Sequence, residues 1–171
     1  MALTKTPVCD FGKKAEDFKL KSIDNKIVTL NDTKGEKATL IMFICNHCPY
    51  VKAIIKDLAK DCNEMKKDGI NSVAIMSNDT KNYPEDSFEN MIKFADNNNF
   101  GEINYLFDET QEIAKKYGAV CTPDFFGYNQ DLKPVNNGDS DLKIAMRMVA
   151  QTQKGPNEQI PSMGCNIKWF N

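Results

Sequence analysis

The chain has 171 residues, 41% of them apolar, with 22 basic against 24 acidic residues and a net charge of −2. That length suits one domain, residues 1–171, with a sizeable core, and the composition excludes a disordered chain. Arg147 is the only arginine; without a positive field or the residue that grips phosphate in a bidentate fork, nucleic acid is not an expected partner.

Residues 1–37 read as an N-terminal arm and hairpin. Phe18, Leu20 and Ile23 lead into an Asp24-Asn25 turn, and Ile27, Val28 and Leu30 lead out of it. Asn31 to Lys37 is expected to be a polar loop. Ala38 to Ile44 is continuously apolar, the pattern of a central strand covered on both faces. From 49 to about 67 the periodicity is helical: Val51, Ile54, Ile55, Leu58, Cys62 and Met65 fall on one stripe and Gly69 ends it. Ile70 to Met76 is a second buried strand. Residues 85–98 form an amphipathic helix with Phe88, Met91, Ile92 and Ala95 inward. A short strand at Tyr105–Phe107, a helix from Glu109 closed by Gly118, and a strand at Asp124–Tyr128 follow. Asp139 or Ser140 caps a last helix running to about residue 153, with Leu142, Ala145, Met146 and Val149 inward, and 155–171 is a tail. Strands alternating with helices predict an α/β layer fold.

The longest apolar stretch, Ala38 to Cys45, is too short to cross a bilayer, and Met1 to Pro7 holds no apolar run of signal-peptide length. A cytoplasmic protein without a membrane partner is therefore expected. The cysteines at 9, 45, 48, 62, 121 and 165 should then be mostly thiols rather than a disulfide framework. A close pair such as Cys45 and Cys48 is better explained by catalysis or by metal.

The pair sits where a buried strand hands over to a helix, with Pro49 tolerated in the first turn. Unpaired backbone N–H groups and the positive end of the helix dipole lie there, so the Cys45 thiolate should be favoured and its pKa should fall below about 8.5. Cys45 is expected to attack and the more buried Cys48 to resolve. His47, the only histidine, adds to the thiolate's stability if its ring is partly cationic; the simpler reading is a solvent-exposed polar residue. A structural zinc site would need two further ligands. No second CxxC and no downstream histidine exist, so no metal and no cofactor are expected.

Three segments carry a resemblance: Met42-Phe43-Ile44-Cys45-Asn46-His47-Cys48-Pro49-Tyr50-Val51-Lys52, then Tyr117 to Phe126 around Cys121-Thr122-Pro123, then Pro161 to Trp169 around Gly164-Cys165-Asn166. With the hairpin they span nearly the whole chain, which resembles the thioredoxin-like redoxins related to alkyl hydroperoxide reductase and thiol-specific antioxidant proteins. The resemblance implies a thioredoxin fold, a central mixed sheet flanked by helices. It also implies that Pro123 is a cis-proline facing the CxxC, with Thr122 before it exposing its backbone beside Cys45 so that an extended substrate strand can pair there. Asn129 to Gly138 departs from the family, and the final strand is expected to be shortened or lost. Peroxidases of the family carry a proline and a threonine ahead of the reacting cysteine, plus an arginine at the thiolate; nothing of that pattern precedes Cys45 or Cys48, and Arg147 belongs to the last helix.

Exchange of a dithiol with a protein or small-molecule disulfide is therefore the leading expectation, with a recycling reductase or thioredoxin system as partner. Because a stabilised thiolate makes the couple more oxidising, its potential should lie above the roughly −270 mV of thioredoxin. A thiol peroxidase and a metal- or cluster-binding module are the alternatives. Cys121 is a third thiol, a ligand beside Cys45 and Cys48, or, by preference, a buried packing residue. Cys62 reads as core, and Cys9 as part of a mobile arm. Cys165 could bring a tail thiol to the active site, but packing by Met163, Ile167 and Trp169 is the expected use of the tail. Sequence alone leaves the oligomeric state open.

Overall fold

The computed structural model describes residues 3–6, 13–135, 142–155 and 161–170. In chain order these form β1 (Leu3–Lys5), β2 (Lys19–Ser22), β3 (Ile27–Thr29), α1 (Leu30–Thr33), β4 (Ala38–Phe43), α2 (Pro49–Lys66) and β5 (Ile70–Met76). A 3-10 turn at Pro84–Asp86 precedes α3 (Phe88–Asn97), followed by β6 (Asn104–Phe107), α4 (Glu112–Tyr117), β7 (Cys121–Thr122) and β8 (Asp124–Asn129). β9 (Pro134–Val135), α5 (Leu142–Thr152) and β10 (Met163–Asn166) complete the described chain. Cys9 and the expected caps Asp139 and Ser140 lie outside the described residues.

Seven strands make one mixed sheet in the order β3-β2-β6-β5-β4-β8-β9. β4 and β6 run parallel to β5, while β8 runs antiparallel to β4. Helices on its two faces complete the thioredoxin fold. All six residues of β4 are buried, because both faces are covered. Its side chains alternate between the layers: Leu40 and Met42 join Val51, Ile55, Leu58 and Met65 of α2 and Met146 and Val149 of α5. Ile41 and Phe43 join Val73, Leu106 and Tyr117 on the other side. Burying each such side chain fully contributes about 1.5–3 kcal/mol, so the strand ending at the CxxC is among the most firmly held in the molecule.

Several expectations change. The loop at 31–37 begins with α1, because Thr29 Oγ1 accepts from the Asp32 N–H and the Asp32 carboxyl accepts from the Thr29 N–H, a reciprocal cap. Ile54 lies at the rim of the α2 stripe and is 37% exposed. The helix expected over 85–98 breaks at Ser87, which caps α3 by accepting from the Asn90 N–H. The last strand is shortened rather than lost: β9 pairs through Gly127–Val135 and Tyr128–Pro134. A second, antiparallel sheet in the order β1-β10-β7, unforeseen from the sequence, lies across the thiol end of the fold.

Candidate active site

Cys45 follows the end of β4, where the Ile44 N–H still donates to the Ile75 carbonyl. Cys48 is the residue that caps α2, with Pro49 in the first helical position. The Thr122–Pro123 peptide bond opposite them is cis. Cys45 Sγ lies 3.3 Å from Thr122 Oγ1, and Cys48 Sγ lies 3.2 Å from the Thr122 carbonyl oxygen and 2.8 Å from Cys165 Sγ. Cys45, Cys48, Thr122 and Cys165 are all buried. Cys121 is buried as well, its thiol reaching the Pro123 carbonyl at 3.5 Å. Cys62 packs in the α2 core, and burial pushes its thiol up to about 11.

The sequence expectation puts the lowered thiol at Cys45; in the reduced protein the two sulfurs share one proton, which lowers Cys48 and raises Cys45. Cys48 is the N-cap residue of α2, so its sulfur lies at the positive end of the helix dipole. The Cys45 S–H donates to it, and the Cys165 thiol and the N–H groups of Val51 and Cys165 add to this against the cost of burial, bringing Cys48 down to about 4. Cys45 moves the other way, because it donates to Cys48, is buried, and faces the Asp86 charge; the Thr122 hydroxyl offsets only part of this. Cys165 is raised to about 11 by burial and by its own donation to Cys48.

His47 also differs from expectation. It is neither a solvated side chain nor an uncompensated cation: Nδ1 sits 2.7 Å from Asp86 Oδ2, and the ring stacks on Tyr83 at 5.5 Å. The Asp86 hydrogen bond raises its pKa and burial opposes this. Asp86 is fully buried; Oδ1 accepts from the backbone N–H groups of Asn46 and His47, and Oδ2 also accepts from Asn78 Nδ2. The carboxyl therefore fixes the CxxC loop and cancels the field that His47 was expected to supply. Cys45, His47 and Asp86 each offer a ligand atom within 4.8 Å of the others, the set that could hold a metal.

Sequence reasoning missed Asp86 because it only read as part of a helix start, some forty residues from its partners. It also missed Asp124, buried beside Pro123, where desolvation pushes the carboxyl up to about 7 against hydrogen bonds from the Val120 and Phe125 N–H groups.

The tail departs furthest from expectation. Ile167 is buried, but Met163 and Trp169 are 46% and 36% exposed. β10 pairs with β7 through Cys165–Thr122 and Asn166–Cys121, so the backbone of Thr122, expected to be open to an incoming strand, is occupied by the chain itself. Beyond it, Asn166, Ile167, Lys168 and Trp169 together with Asp79, Asn82 and Tyr83 line an open cleft of about 570 Å³.

A solved structure of an uncharacterized conserved protein from Geobacillus kaustophilus is 40% identical, covering 99% of this chain and 97% of that one with a TM-score of 0.94. A hypothetical protein from Sinorhizobium meliloti is 35% identical over 98% of each chain, at a TM-score of 0.93. A secreted disulfide oxidoreductase from Mycobacterium tuberculosis shares the fold at 18% identity, covering 69% of this chain and 80% of that one with a TM-score of 0.58. None of the curated proteins matches. The AhpC/TSA family model matches residues 11–136, about three quarters of the chain, and the protein belongs to that family of thioredoxin-like redoxins.

Proposed function

We propose that the protein is a thiol–disulfide oxidoreductase that exchanges the Cys45–Cys48 couple with small disulfides and is restored by a reductase or thioredoxin system. The observation that carries this reading is the pair itself: two buried thiols at the junction of a rigid strand and a helix, facing the cis Thr122–Pro123 bond. Moving the shared proton from Cys45 to Cys48 makes either sulfur the thiolate. The thiolate attacks a substrate sulfur, a mixed disulfide forms, and the second thiol displaces it while the substrate leaves as thiols. Small disulfides are favoured over extended protein segments because β10 already pairs with Thr122.

The test is turnover of oxidised glutathione or a dithiobis(benzoate) by wild-type protein coupled to a reductant. Cys48→Ser should lose turnover and hold the substrate half as a mixed disulfide on Cys45, and Cys45→Ser should turn over well below the wild-type rate. Wild-type rates in either variant would refute the reading.

A thiol peroxidase is the second reading, favoured by the family match. Against it, the only arginine is bonded to Asp68 at 2.8 Å, beyond the C-terminal end of α2, whereas the thiols are at its N-terminal end. Rapid consumption of hydrogen peroxide with a sulfenic acid on Cys45 or Cys48 would establish it. A metal module is favoured only by the Cys45, His47 and Asp86 cluster, and stoichiometric metal in protein purified without oxygen would establish that instead.

A further inference from the structure

We propose that Cys165 is a third redox thiol, and that the oxidised protein interconverts a Cys45–Cys48 and a Cys48–Cys165 disulfide. This rests on the reading of Cys45 and Cys48 as an exchanging couple and extends it to a residue more than a hundred positions away.

Three independent features of the tail support it. The first is contact: Cys165 Sγ is 2.8 Å from Cys48 Sγ, about 0.8 Å more than a covalent S–S bond. The second is the frame that sets the contact. β10 is held on both edges, by β1 through Leu3–Cys165, Thr4–Gly164 and Lys5–Met163 and by β7 through Cys165–Thr122. Just beyond it, the Ile167 N–H donates to the Val120 carbonyl and the Lys168 N–H to Asn78 Oδ1 at 2.8 Å. The third is Gly164. A Cβ there would lie 2.1 Å from the Thr122 carbonyl oxygen and 2.6 Å from its carbon, so only glycine lets the tail backbone lie this close to the residue that faces both catalytic sulfurs. The tail occupies the position of an incoming strand and presents a sulfur to Cys48, as a substrate would.

The step balances without an added oxidant. Starting from the Cys45–Cys48 disulfide that substrate exchange leaves, Cys165 Sγ attacks Cys48 Sγ. The Cys48–Cys165 bond forms, the Cys45–Cys48 bond breaks, and the proton leaving Cys165 ends on Cys45. Cys165 is oxidised and Cys45 is reduced. Burial, the largest cause that raises Cys165, is unchanged by oxidation, while the lesser ones, its donation to Cys48 and the charge of Cys48, vanish once Cys48 is in a disulfide. The consequence is a buried store for the oxidising equivalent that returns Cys45 as a thiol.

The experiment treats full-length protein with oxidised glutathione, quenches with acid, and maps disulfides by mass spectrometry. In Cys45→Ser, glutathione on Cys48 should be transient and give way to a Cys48–Cys165 disulfide, whereas in Cys45→Ser/Cys165→Ser it should persist. In otherwise wild-type protein both disulfides should be found, and Gly164→Ala, which pushes β10 off Thr122, should lower the Cys48–Cys165 share severalfold in favour of Cys45–Cys48. Persistent glutathione on Cys48 of Cys45→Ser with Cys165 still open to alkylation, or a wild-type map holding only Cys45–Cys48, overturns the inference and leaves the exchange couple intact. A wild-type protein that forms neither disulfide overturns the exchange reading along with it.

Discussion

Where Cys48 faces the tail, its surroundings are the Cys165 sulfur and the backbone of Thr122, Val51 and Cys165. On the opposite flank of the CxxC, His47 and the Asn46 backbone meet the buried carboxyl of Asp86, which Asn78 also holds. On the proposed reading the first flank accepts and releases electrons, because its groups are thiols a short displacement apart. The second cannot; it holds charge, and holding it fixes the loop between the cysteines. One dithiol thus has a flank for exchange and a flank for position. Variants on the two flanks should separate chemistry from stability.

The largest effect is expected on the positioning flank. Asp86→Ala removes one partner of a buried pair and leaves the Asn46 and His47 N–H groups and Asn78 Nδ2 without their acceptor. A loss of about 3–5 kcal/mol is expected by urea denaturation. Asp86→Asn, which keeps an acceptor, should recover part of it. Because Asp86 raises the His47 pKa, that share of the stability is complete below the unfolded histidine value and disappears as pH rises through the folded one. The gap between wild type and Asp86→Asn should therefore be wider at pH 5 than at pH 9. A loss below about 1 kcal/mol for the alanine variant would erase the distinction between the flanks.

The two flanks also differ in how legible they were. β4 and α2 are written locally: an unbroken apolar run and a stripe at helical spacing leave little choice of element, and the junction between them places Cys45 and Cys48. Asp86, Asp124 and Cys165 were not legible in that way. Each acts through a partner distant in sequence or through depth of burial, and periodicity reports neither. β1 and β10 are three and four residues long, too short for a pattern, and they exist because they pair with each other and with β7. The same tail that hid its strand reversed an expectation, since it fills the edge beside Thr122.

A second prediction concerns the exchange flank, which carries a titrating acid of its own. Burial moves the Asp124 carboxyl from the usual 3.8 to about 7. A carboxyl raised on folding binds its proton more tightly in the folded state, so stability falls as pH rises from about 4 to 7 and stays lower above that. Asp124→Asn does not titrate and can still accept from the Val120 N–H, 3.3 Å away in the wild type. It should match wild type near pH 4 and exceed it at pH 8, by up to about 4 kcal/mol at 1.36 kcal/mol per pH unit. Parallel stability curves for the two proteins between pH 4 and 8 would show that Asp124 is not the acid responsible.

The smallest expected effect tests whether the two sulfurs of the CxxC can be addressed separately through one residue. Thr122 faces Cys45 with its hydroxyl, 3.3 Å away, and Cys48 with its carbonyl oxygen, 3.2 Å away, which accepts from Cys48 only while that thiol is protonated. Thr122→Val removes only the first. The hydroxyl is the one group acting to lower Cys45, so its loss should raise that thiol further. A neutral hydrogen bond contributes about 0.5–1.5 kcal/mol, so alkylation of Cys45 by iodoacetamide at neutral pH should slow by a factor of about two to ten. The contacts of Cys48 with the Thr122 carbonyl oxygen and with Cys165 are untouched, so its alkylation profile and its capacity to pair with Cys165 should hold. If both sulfurs shift together, the hydroxyl acts on the pair as a unit and the division between the flanks begins beyond the dithiol. If only Cys45 shifts, the division runs between the two sulfurs themselves.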